Sequence, residues 1–188
     1  GREEAVGRAC RGWRHGSEEG IPPTLHTARL TLRMPKLADF EHWAAFFASD
    51  RSRFERGPMG RVEGYRAWAA DVALWPLRGY GAFGLDDRAT GAYVGEVGIY
   101  QPEGFPEAEL GWFVIPEAEG KGYAAEAARA VIDWVRATFG WGRLVSIIDP
   151  ANARSLALGL RIGGVIDPTL PGVDPGDGVI RHDLGGRG

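Results

Sequence analysis

Two glycines flank a lysine in the segment EGKGYAA, directly ahead of an alanine-rich run. The apolar stretch ELGWFVI before it predicts a strand, and the pattern after it predicts a helix. The first turn of a helix leaves about four backbone N–H groups unpaired and carries partial positive charge, so it attracts anions. Gly120 and Gly122 keep side chains away from those groups, and Lys121 adds positive charge. The segment therefore predicts a phosphate-binding loop, although a plain tight turn fits the same residues.

The sequence of this loop is compatible with more than one phosphate ligand. GKGYAA satisfies the G-x-G-x-x-G/A pattern of dinucleotide-binding folds, and Asp149 follows a later predicted strand, as the acidic residue of that pattern does. Such a fold needs further parallel strand–helix units, whereas only 39 residues follow Asp149. The G-K-[ST] sequence of a Walker loop is missing. An NAD enzyme is therefore disfavoured.

Two carboxylates interrupt predicted strands that are otherwise apolar. They are Glu96 in GEVGIY and Glu109 in AELGWFV. Burying a carboxylate costs free energy unless it has a partner or a function, so both are candidate general bases. An outward-facing charge, or a cross-strand partner for an arginine, explains either residue equally well. Whether the two carboxylates share a face depends on the register of a hairpin that the sequence does not fix.

A hydroxyl group completes the set of candidate catalytic residues. Ser155 stands in an N-x-x-S sequence at the start of a predicted helix, where it could donate a proton. A solvent-facing or backbone-bonded serine in a first helical turn is an equally good interpretation. No candidate cysteine and no Ser-His-Asp arrangement is present, which favours chemistry without a covalent enzyme intermediate.

The elements that must position these residues follow from the spacing of apolar residues. Period-two alternation predicts strands over 24–34, 80–85, 91–100, 108–115, 142–148, 165–168 and 178–184. Helical spacing predicts helices over 37–48, 63–79, 121–138 and 152–162, with Pro76 and Gly79 ending the second. Turn-rich linkers between the second, third and fourth strands indicate an antiparallel meander. The order β-α-α-β-β-β-α-β-α-β-β predicts an α+β fold.

Size and composition limit the classes of protein that the chain can belong to. Its 188 residues, 44% hydrophobic and with a net charge of −3, predict one globular domain over 24–188 and an N-terminal tail over 1–23. No run approaches the ~20 apolar residues of a membrane span, and scattered basic residues disfavour nucleic acid. Cys10 is the only cysteine and the four histidines lack ligand spacing. We therefore expect no metal site and a cytoplasmic location.

Four segments of the chain resemble the GCN5-related N-acetyltransferase (GNAT) superfamily. They are ARLTLRMPKLADF, GEVGIY, AELGWFVIPEAEGKGYAAEA and NARSLALGLRIGG, in the family's order and spacing. Within the superfamily they are most similar to the RimJ/RimL-like group of ribosomal-protein N-terminal acetyltransferases. The resemblance covers about residues 24–184. It implies the GNAT fold, a mostly antiparallel mixed sheet flanked by helices, and acetyl-CoA as cosubstrate.

The resemblance also implies roles for single residues in holding the cofactor. In the family the loop reads Q/R-x-x-G-x-G/A and its amides hold the pyrophosphate of coenzyme A, whereas this chain has Glu117 at the first position. The residues that the resemblance assigns to this contact are Gly120, Lys121, Gly122, Tyr123 and Ala124. It further implies that the preceding strand pairs with the pantetheine arm through Phe113, Val114 and Ile115.

Near the end of the chain, the resemblance implies that Asn152 hydrogen-bonds the cofactor and that Ser155 lies beside it. Many relatives carry a tyrosine in this last helix as the proton donor. This chain has no tyrosine between Asn152 and Gly163, so Ser155 is the hydroxyl available there. The resemblance further implies a backbone N–H near Val114 as a contact for the oxyanion that forms at the thioester.

These observations predict an enzyme that moves an acetyl group from acetyl-CoA directly to a primary amine. The amine belongs to a protein N terminus or to a small molecule, and the sequence does not choose between them. It is expected to run past the first two helices and the acidic loop 166–178. The missing tyrosine keeps open an alternative, a catalytically silent CoA-binding module with a regulatory or assembly role. A homodimer also stays open.

Overall fold

The computed structural model describes residues 21–185, in which eight strands form one mixed sheet. The strand order is β1-β2-β3-β4-β5-β6-β8-β7, and β5 and β6 form its parallel pair. The strands are β1 (Leu25–His26), β2 (Leu30–Arg33), β3 (Ala82–Asp87), β4 (Tyr93–Tyr100), β5 (Glu109–Val114), β6 (Arg143–Ile148), β7 (Val165–Ile166) and β8 (Gly178–Asp183). The predicted α+β fold and antiparallel meander are confirmed, and the sheet is not the parallel one that an NAD enzyme needs.

Helices cover both faces of this sheet. They are α1 (Asp39–Phe47), α2 (Arg61–Val72), α3 (Leu74–Arg78), α4 (Tyr123–Phe139) and α5 (Ala153–Arg161), with short 3-10 turns at Asp50–Phe54 and Pro116–Ala118. Among the helices of residues 21–185, none is both long and apolar enough to cross a bilayer. Most of the tail predicted over 1–23, including Cys10, lies outside the described residues.

Two of the predicted elements are each divided in the structure. The strand predicted over 24–34 turns back on itself, because the Leu30 carbonyl accepts a hydrogen bond from Thr27 N–H (2.9 Å) and β1 then pairs with β2. The helix predicted over 63–79 breaks at Ala73, and Pro76 falls in the first turn of α3, where a missing N–H costs nothing. The prediction that Pro76 ends the helix was therefore wrong, whereas Gly79 does end it.

The two faces of the sheet carry different side chains. Val97, Ile99 and Leu110 pack under the apolar stripe of α4 in the main core. The register of the β4–β5 hairpin pairs Glu96 with Phe113 and Tyr100 with Glu109. Directly paired residues of antiparallel strands share a face, and so do residues two apart. Glu96 and Glu109 therefore lie on the same face, the one that α1 and α2 cover.

A seam opens between β5 and β6, where a single backbone pair, Glu109 with Val145, is in register. Side chains bridge the diverging strands beyond that pair. Glu109 Oε1 accepts a hydrogen bond from Ile147 N–H at 3.0 Å, and Ser146 Oγ donates to the Leu110 carbonyl at 2.6 Å. The seam is thus held by two side-chain contacts in place of a continuous backbone ladder.

His182 supports the Ser146 bridge from the neighbouring strand. Its Nε2 lies 2.9 Å from Ser146 Oγ, and burial lowers the pKa of His182 to about 4, so the ring is neutral at pH 7. Because the Ser146 proton points to the Leu110 carbonyl, the proton in the second bond must come from His182 Nε2. The imidazole therefore fixes the direction of the serine hydroxyl.

Candidate active site

A cavity of about 560 Å³, here called the larger cavity, lies between the end of β5, the start of α4 and the start of α5. Its walls bring together most of the residues that the sequence assigned to cofactor binding. These are Phe113, Val114, Gly120, Gly122, Tyr123, Ala124, Asn152 and Ser155. Segments far apart in the chain therefore meet at one place.

The glycine loop presents unpaired donors to this cavity. Gly120 (φ 72°) and Gly122 (φ 79°) both adopt the left-handed conformation, which L residues with a side chain rarely adopt. No acceptor within residues 21–185 is bonded to the N–H groups of 120–125, and the first closed bond of α4 runs from Glu126 N–H to the Gly122 carbonyl (3.1 Å). Since helix starts attract anions, these donors fit a phosphate group.

Lys121 and Ile115 lie outside the lining of the larger cavity. Lys121 is exposed, and its carbonyl accepts a hydrogen bond from Arg29 Nη1 at 2.9 Å. Ile115 N–H donates to the Val94 carbonyl at 3.0 Å, which turns this amide toward β4. Amides alternate in direction along a strand, so those of Trp112 and Val114 point to the open seam. The edge that the sequence assigned to the pantetheine arm is therefore exposed at Val114 and closed at Ile115.

Some side chains near the starts of α4 and α5 already make hydrogen bonds within the protein, and others do not. Asn152 Oδ1 caps α5 by accepting from Ser155 N–H at 3.2 Å. The Ser155 hydroxyl makes no hydrogen bond to any described residue and lines the larger cavity. The Tyr123 hydroxyl donates to Asp87 at 2.5 Å, outside the larger cavity, while Tyr123 N–H stays at the start of α4. Arg29 stacks on the Tyr123 ring at 4.7 Å.

Arginines that the sequence reasoning missed surround the larger cavity. Arg51 and Arg154 both bind Glu119, the latter at 3.0 Å, and join the segment after α1 and helix α5 to the glycine loop. Although burial alone raises the pKa of Glu119, the hydrogen bonds from Arg51 and Arg154 lower it overall. Arg53 and Arg161 add positive charge to the same walls. The arginine-rich sequence DRSRFER after α1 was a usable signal for part of this set.

A second cavity of about 430 Å³, here called the smaller cavity, adjoins the larger one. The two share the residues Arg53, Phe54, Glu55, Trp112 and Phe113 in their walls. Val173, Asp174 and Asp177 of the 166–178 loop also line the smaller cavity, as do Trp43 and Phe47 of α1. The two cavities therefore adjoin along a shared wall at β5, and together they are called the passage.

The two candidate bases differ in their access to this passage. Glu109 lines the smaller cavity, whereas Glu96 lines neither cavity and is only 1% exposed. Burial raises the pKa of Glu109 to about 8, although the hydrogen bond from Ile147 N–H lowers it. Burial likewise raises the pKa of Glu96 to about 8, against the hydrogen bond from the Tyr100 hydroxyl (2.8 Å). Of the two carboxyl groups, Glu109 is the one that a bound molecule can reach.

Comparisons with known proteins agree with this fold and arrangement. The Acetyltransferase (GNAT) domain family matches residues 29–165 of the chain. The crystal structure of an acetyltransferase from Agrobacterium tumefaciens str. C58 is 42% identical in sequence, with a TM-score of 0.83. The match covers 90% of this chain and 98% of that one. The chain therefore belongs to the GNAT acetyltransferase family, and the resemblance seen in the sequence is confirmed.

Two further proteins are similar to the chain, one in fold and one in sequence. RimL, a ribosomal L7/L12 alpha-N-protein acetyltransferase solved in complex with coenzyme A, shares the fold at 13% identity and a TM-score of 0.68, over 87% of this chain and 99% of its own. The uncharacterized protein YkkB of Bacillus subtilis (strain 168) is 34% identical over 90 residues, which are 46% of this chain and 52% of YkkB. The chain thus matches about half the length of that curated relative. Enzymes of the GNAT family use acetyl-CoA.

Proposed function

We propose that this chain transfers an acetyl group from acetyl-CoA directly to a primary amine. The observation that carries the proposal is the passage: helix-start donors without a partner among the described residues in the larger cavity, the carboxyl group of Glu109 in the smaller one, and a shared wall at Trp112 and Phe113. The larger cavity can bind an anionic cofactor and the smaller cavity carries a candidate base. Their shared wall at β5 would let acetyl-CoA and an amine meet and react. The single cysteine of the chain supports a reducing cytoplasm as the place of this reaction.

In this proposal the larger cavity binds the cofactor through backbone N–H donors and not through the side chain of Lys121. The N–H groups from Gly120 to Ala125 have no partner among the described residues and would hold the pyrophosphate. Arg51 and Arg154 stand beside them on Glu119. Lys121 lies outside the lining, so we propose that it contributes long-range charge and no direct contact.

The reaction forms a bond between the amine nitrogen and the acetyl carbon and breaks the bond from that carbon to sulfur. We propose that Glu109 accepts the proton that the amine loses, directly or through water, and that a backbone N–H near Val114 that faces the seam, that of Trp112 or of Val114, stabilises the oxyanion. The departing thiolate takes a proton from the Ser155 hydroxyl, which lines the larger cavity, and Ser155 regains a proton from solvent as Glu109 releases its proton there. A base with a pKa of about 8 suits proton transfer from an ammonium group near neutral pH.

A catalytically silent CoA-binding module is the second candidate, because the last helix offers Ser155 and no tyrosine. Titration calorimetry with acetyl-CoA, followed by thiol release with a panel of amines and peptides, separates the two. An enzyme binds acetyl-CoA and releases thiol only when an amine is present. Binding without thiol release above background would favour the silent module, and no binding at millimolar acetyl-CoA would refute both.

A further inference from the structure

The smaller cavity carries a large excess of negative side chains. Among residues 21–185, seven carboxyl groups and two guanidinium groups line it, and no lysine or histidine does. The carboxyl groups belong to Glu55, Asp71, Glu103, Glu109, Asp149, Asp174 and Asp177. A wall of this sign raises the local concentration of cations and repels anions.

Several of these carboxyl groups have no partner in the part of the chain that the structure describes. Asp149 and Asp177 accept hydrogen bonds from backbone N–H groups of their own loops, which explains their presence. Glu55 and Asp71 make no hydrogen bond and no ion pair with any residue of 21–185, although both are half-buried. Partly buried carboxylates without partners are costly, and a ligand that brings a positive charge removes that cost.

Arg56 lies in this cavity and offsets part of its negative charge. Its guanidinium lies 5.8 Å from the Phe105 ring, and no carboxylate of the described residues lies within ion-pair distance of it. Burial raises the pKa of Glu55 and of Asp71, and the charge of Arg56 lowers both in part. Arg56 therefore acts on these two acids from a distance and leaves each without a directly bonded counter-ion among the described residues.

A buried acid below the cavity floor gives an independent observation of the same kind. Glu96 belongs to the sheet face that forms this floor, is 1% exposed, and has one carboxyl oxygen, Oε2, without a hydrogen-bond partner. Trp68 Nε1 comes near this carboxyl group but makes no hydrogen bond of normal geometry. Tyr100, whose hydroxyl donates to Glu96 Oε1, lines the cavity itself. Tyr100 therefore connects the lining of the cavity to a buried acid whose second oxygen has no partner among the described residues.

The remaining walls of the smaller cavity are apolar and aromatic. Aromatic side chains in the lining are Trp43, Phe47, Tyr100, Phe105, Trp112, Phe113 and Phe54. Aromatic faces attract ammonium groups and accept methylene chains. Aromatic walls combined with unpaired carboxyl groups suit a flexible, apolar chain that carries positive charges.

We propose that the acceptor is a small aliphatic diamine or polyamine, with one amine between Glu109 and Glu55 and a second ammonium group held by Asp71. This inference rests on the proposed acetyl transfer and names the class of amine. Glu55 lines both cavities, and after burial its charge is a further cause that raises the pKa of Glu109, so these two acids lie near each other and the reacting amine lies toward the shared wall. Asp71 belongs to α2 and lines the smaller cavity, so the second charge is bound by a different element from the first.

The protonation state of the cavity provides an additional readout. Burial raises the pKa of Glu55 to about 7 and that of Asp71 to about 6. A bound ammonium group favours the ionised carboxylate and lowers both values, so binding of a diamine releases protons near neutral pH. Calorimetry in buffers of different ionisation enthalpy measures that release directly.

The test compares three acceptors that share a four-carbon chain: the diamine putrescine, the matched amino alcohol and the matched amino acid. We expect kcat/KM for the diamine to exceed that for the amino alcohol by about 10- to 100-fold, the contribution of one charge-assisted hydrogen bond. The amino acid is expected to be the poorest of the three. Asp71→Asn is expected to remove most of the preference for the diamine through a higher KM, with acetyl-CoA affinity unchanged.

Asp133→Asn is the matched control, because Asp133 is 73% exposed on α4 and pairs only with Arg136. It is expected to keep the preference of the unmodified protein. Equal use of diamine and amino alcohol, or a preference for a short peptide with a free N terminus, would overturn the inference while leaving acetyl transfer intact. Acetyl-CoA binding without transfer to any amine would overturn the proposed function as well.

Discussion

Replacing Glu109 by glutamine removes a charge from the smaller cavity but keeps an acceptor for the sheet. The amide oxygen of glutamine can still accept the Ile147 N–H, which donates at 3.0 Å to Glu109 Oε1. Alanine at the same position leaves that buried N–H without a partner, which costs about 1–3 kcal/mol of unfolding free energy. The pair Glu109→Gln and Glu109→Ala therefore separates a chemical role from the bridging of the seam.

The expected size of the chemical effect follows from the role of a general base. Loss of such a group typically lowers the rate about 100- to 10,000-fold. The active form of Glu109 is the ionised one, so its raised pKa of about 8 predicts a value of kcat/KM that increases with pH and levels off above that value. Glu109→Gln is expected to lose this step in the profile together with the rate.

The assay is thiol release from acetyl-CoA with amine well below its KM, which gives kcat/KM, measured between about pH 6 and pH 9.5 for both variants. Since Glu96 also has a pKa of about 8, Glu96→Gln is measured in parallel and is expected to keep the step. Urea unfolding reports whether Glu109→Gln retains the stability of the unmodified protein.

A rate within a few-fold of the unmodified protein in Glu109→Gln, with the pH step intact, would refute the assignment of Glu109 as base. If Glu96→Gln alone loses the step, the proton passes through Tyr100 to the buried acid, and the reasoning from cavity access is wrong. If both Glu109 variants lose activity and stability to the same extent, the role of Glu109 is structural, and it only bridges β5 and β6 across the seam.

Two further predictions concern the loop and the buried acid. Gly122→Ala is expected to raise the Kd for acetyl-CoA about 10-fold and to cost about 1–2 kcal/mol of unfolding free energy, because φ is 79° there while the new methyl group meets only Arg29 at 3.6 Å; calorimetry and urea unfolding measure the two effects. Glu96→Gln is expected to raise the free energy of unfolding, relative to the unmodified protein, by more at pH 9 than at pH 5. The folded-state pKa of about 8 exceeds the ordinary 4.5, so the cost of ionising Glu96 grows as pH rises between them, up to about 5 kcal/mol. If the difference in unfolding free energy between Glu96→Gln and the unmodified protein is the same from pH 5 to pH 9, the raised pKa of Glu96 is contradicted.

Features that depend on neighbouring residues in the chain could be predicted from the sequence. The stripe of α4, the glycine loop ahead of it and the meander of β3 to β5 depend on local periodicity and turn residues, and all three are present. The turn at Thr27 was missed because alternation continues on both sides of it. Helix patterns did not show the break at Ala73, because apolar spacing continues from Trp68 to Trp75 although the two tryptophans pack in different cores.

Features that depend on distant residues could not be predicted in this way. The shared face of Glu96 and Glu109 required the hairpin register, and the accessibility of Glu109 alone required the position of α1 and α2. Arg51 and Arg154 meet at Glu119 across long separations in the chain. The half-buried state of Asp71 is a property of the cavity around it, because α2 shows no pattern that distinguishes this acid from a surface one.

The seam between β5 and β6 divides the sheet into two plates, β1 to β5 on one side and β6, β8 and β7 on the other. The plates share one backbone pair in register, so little cooperativity passes from one to the other through the ladder. In native-state hydrogen exchange we therefore expect two separate opening units. A cofactor that lies along the exposed edge at Val114 would bridge the plates, so its binding is expected to slow amide exchange in β6 as well as in β5. Cofactor binding would then also stabilise the association of the two parts of the sheet.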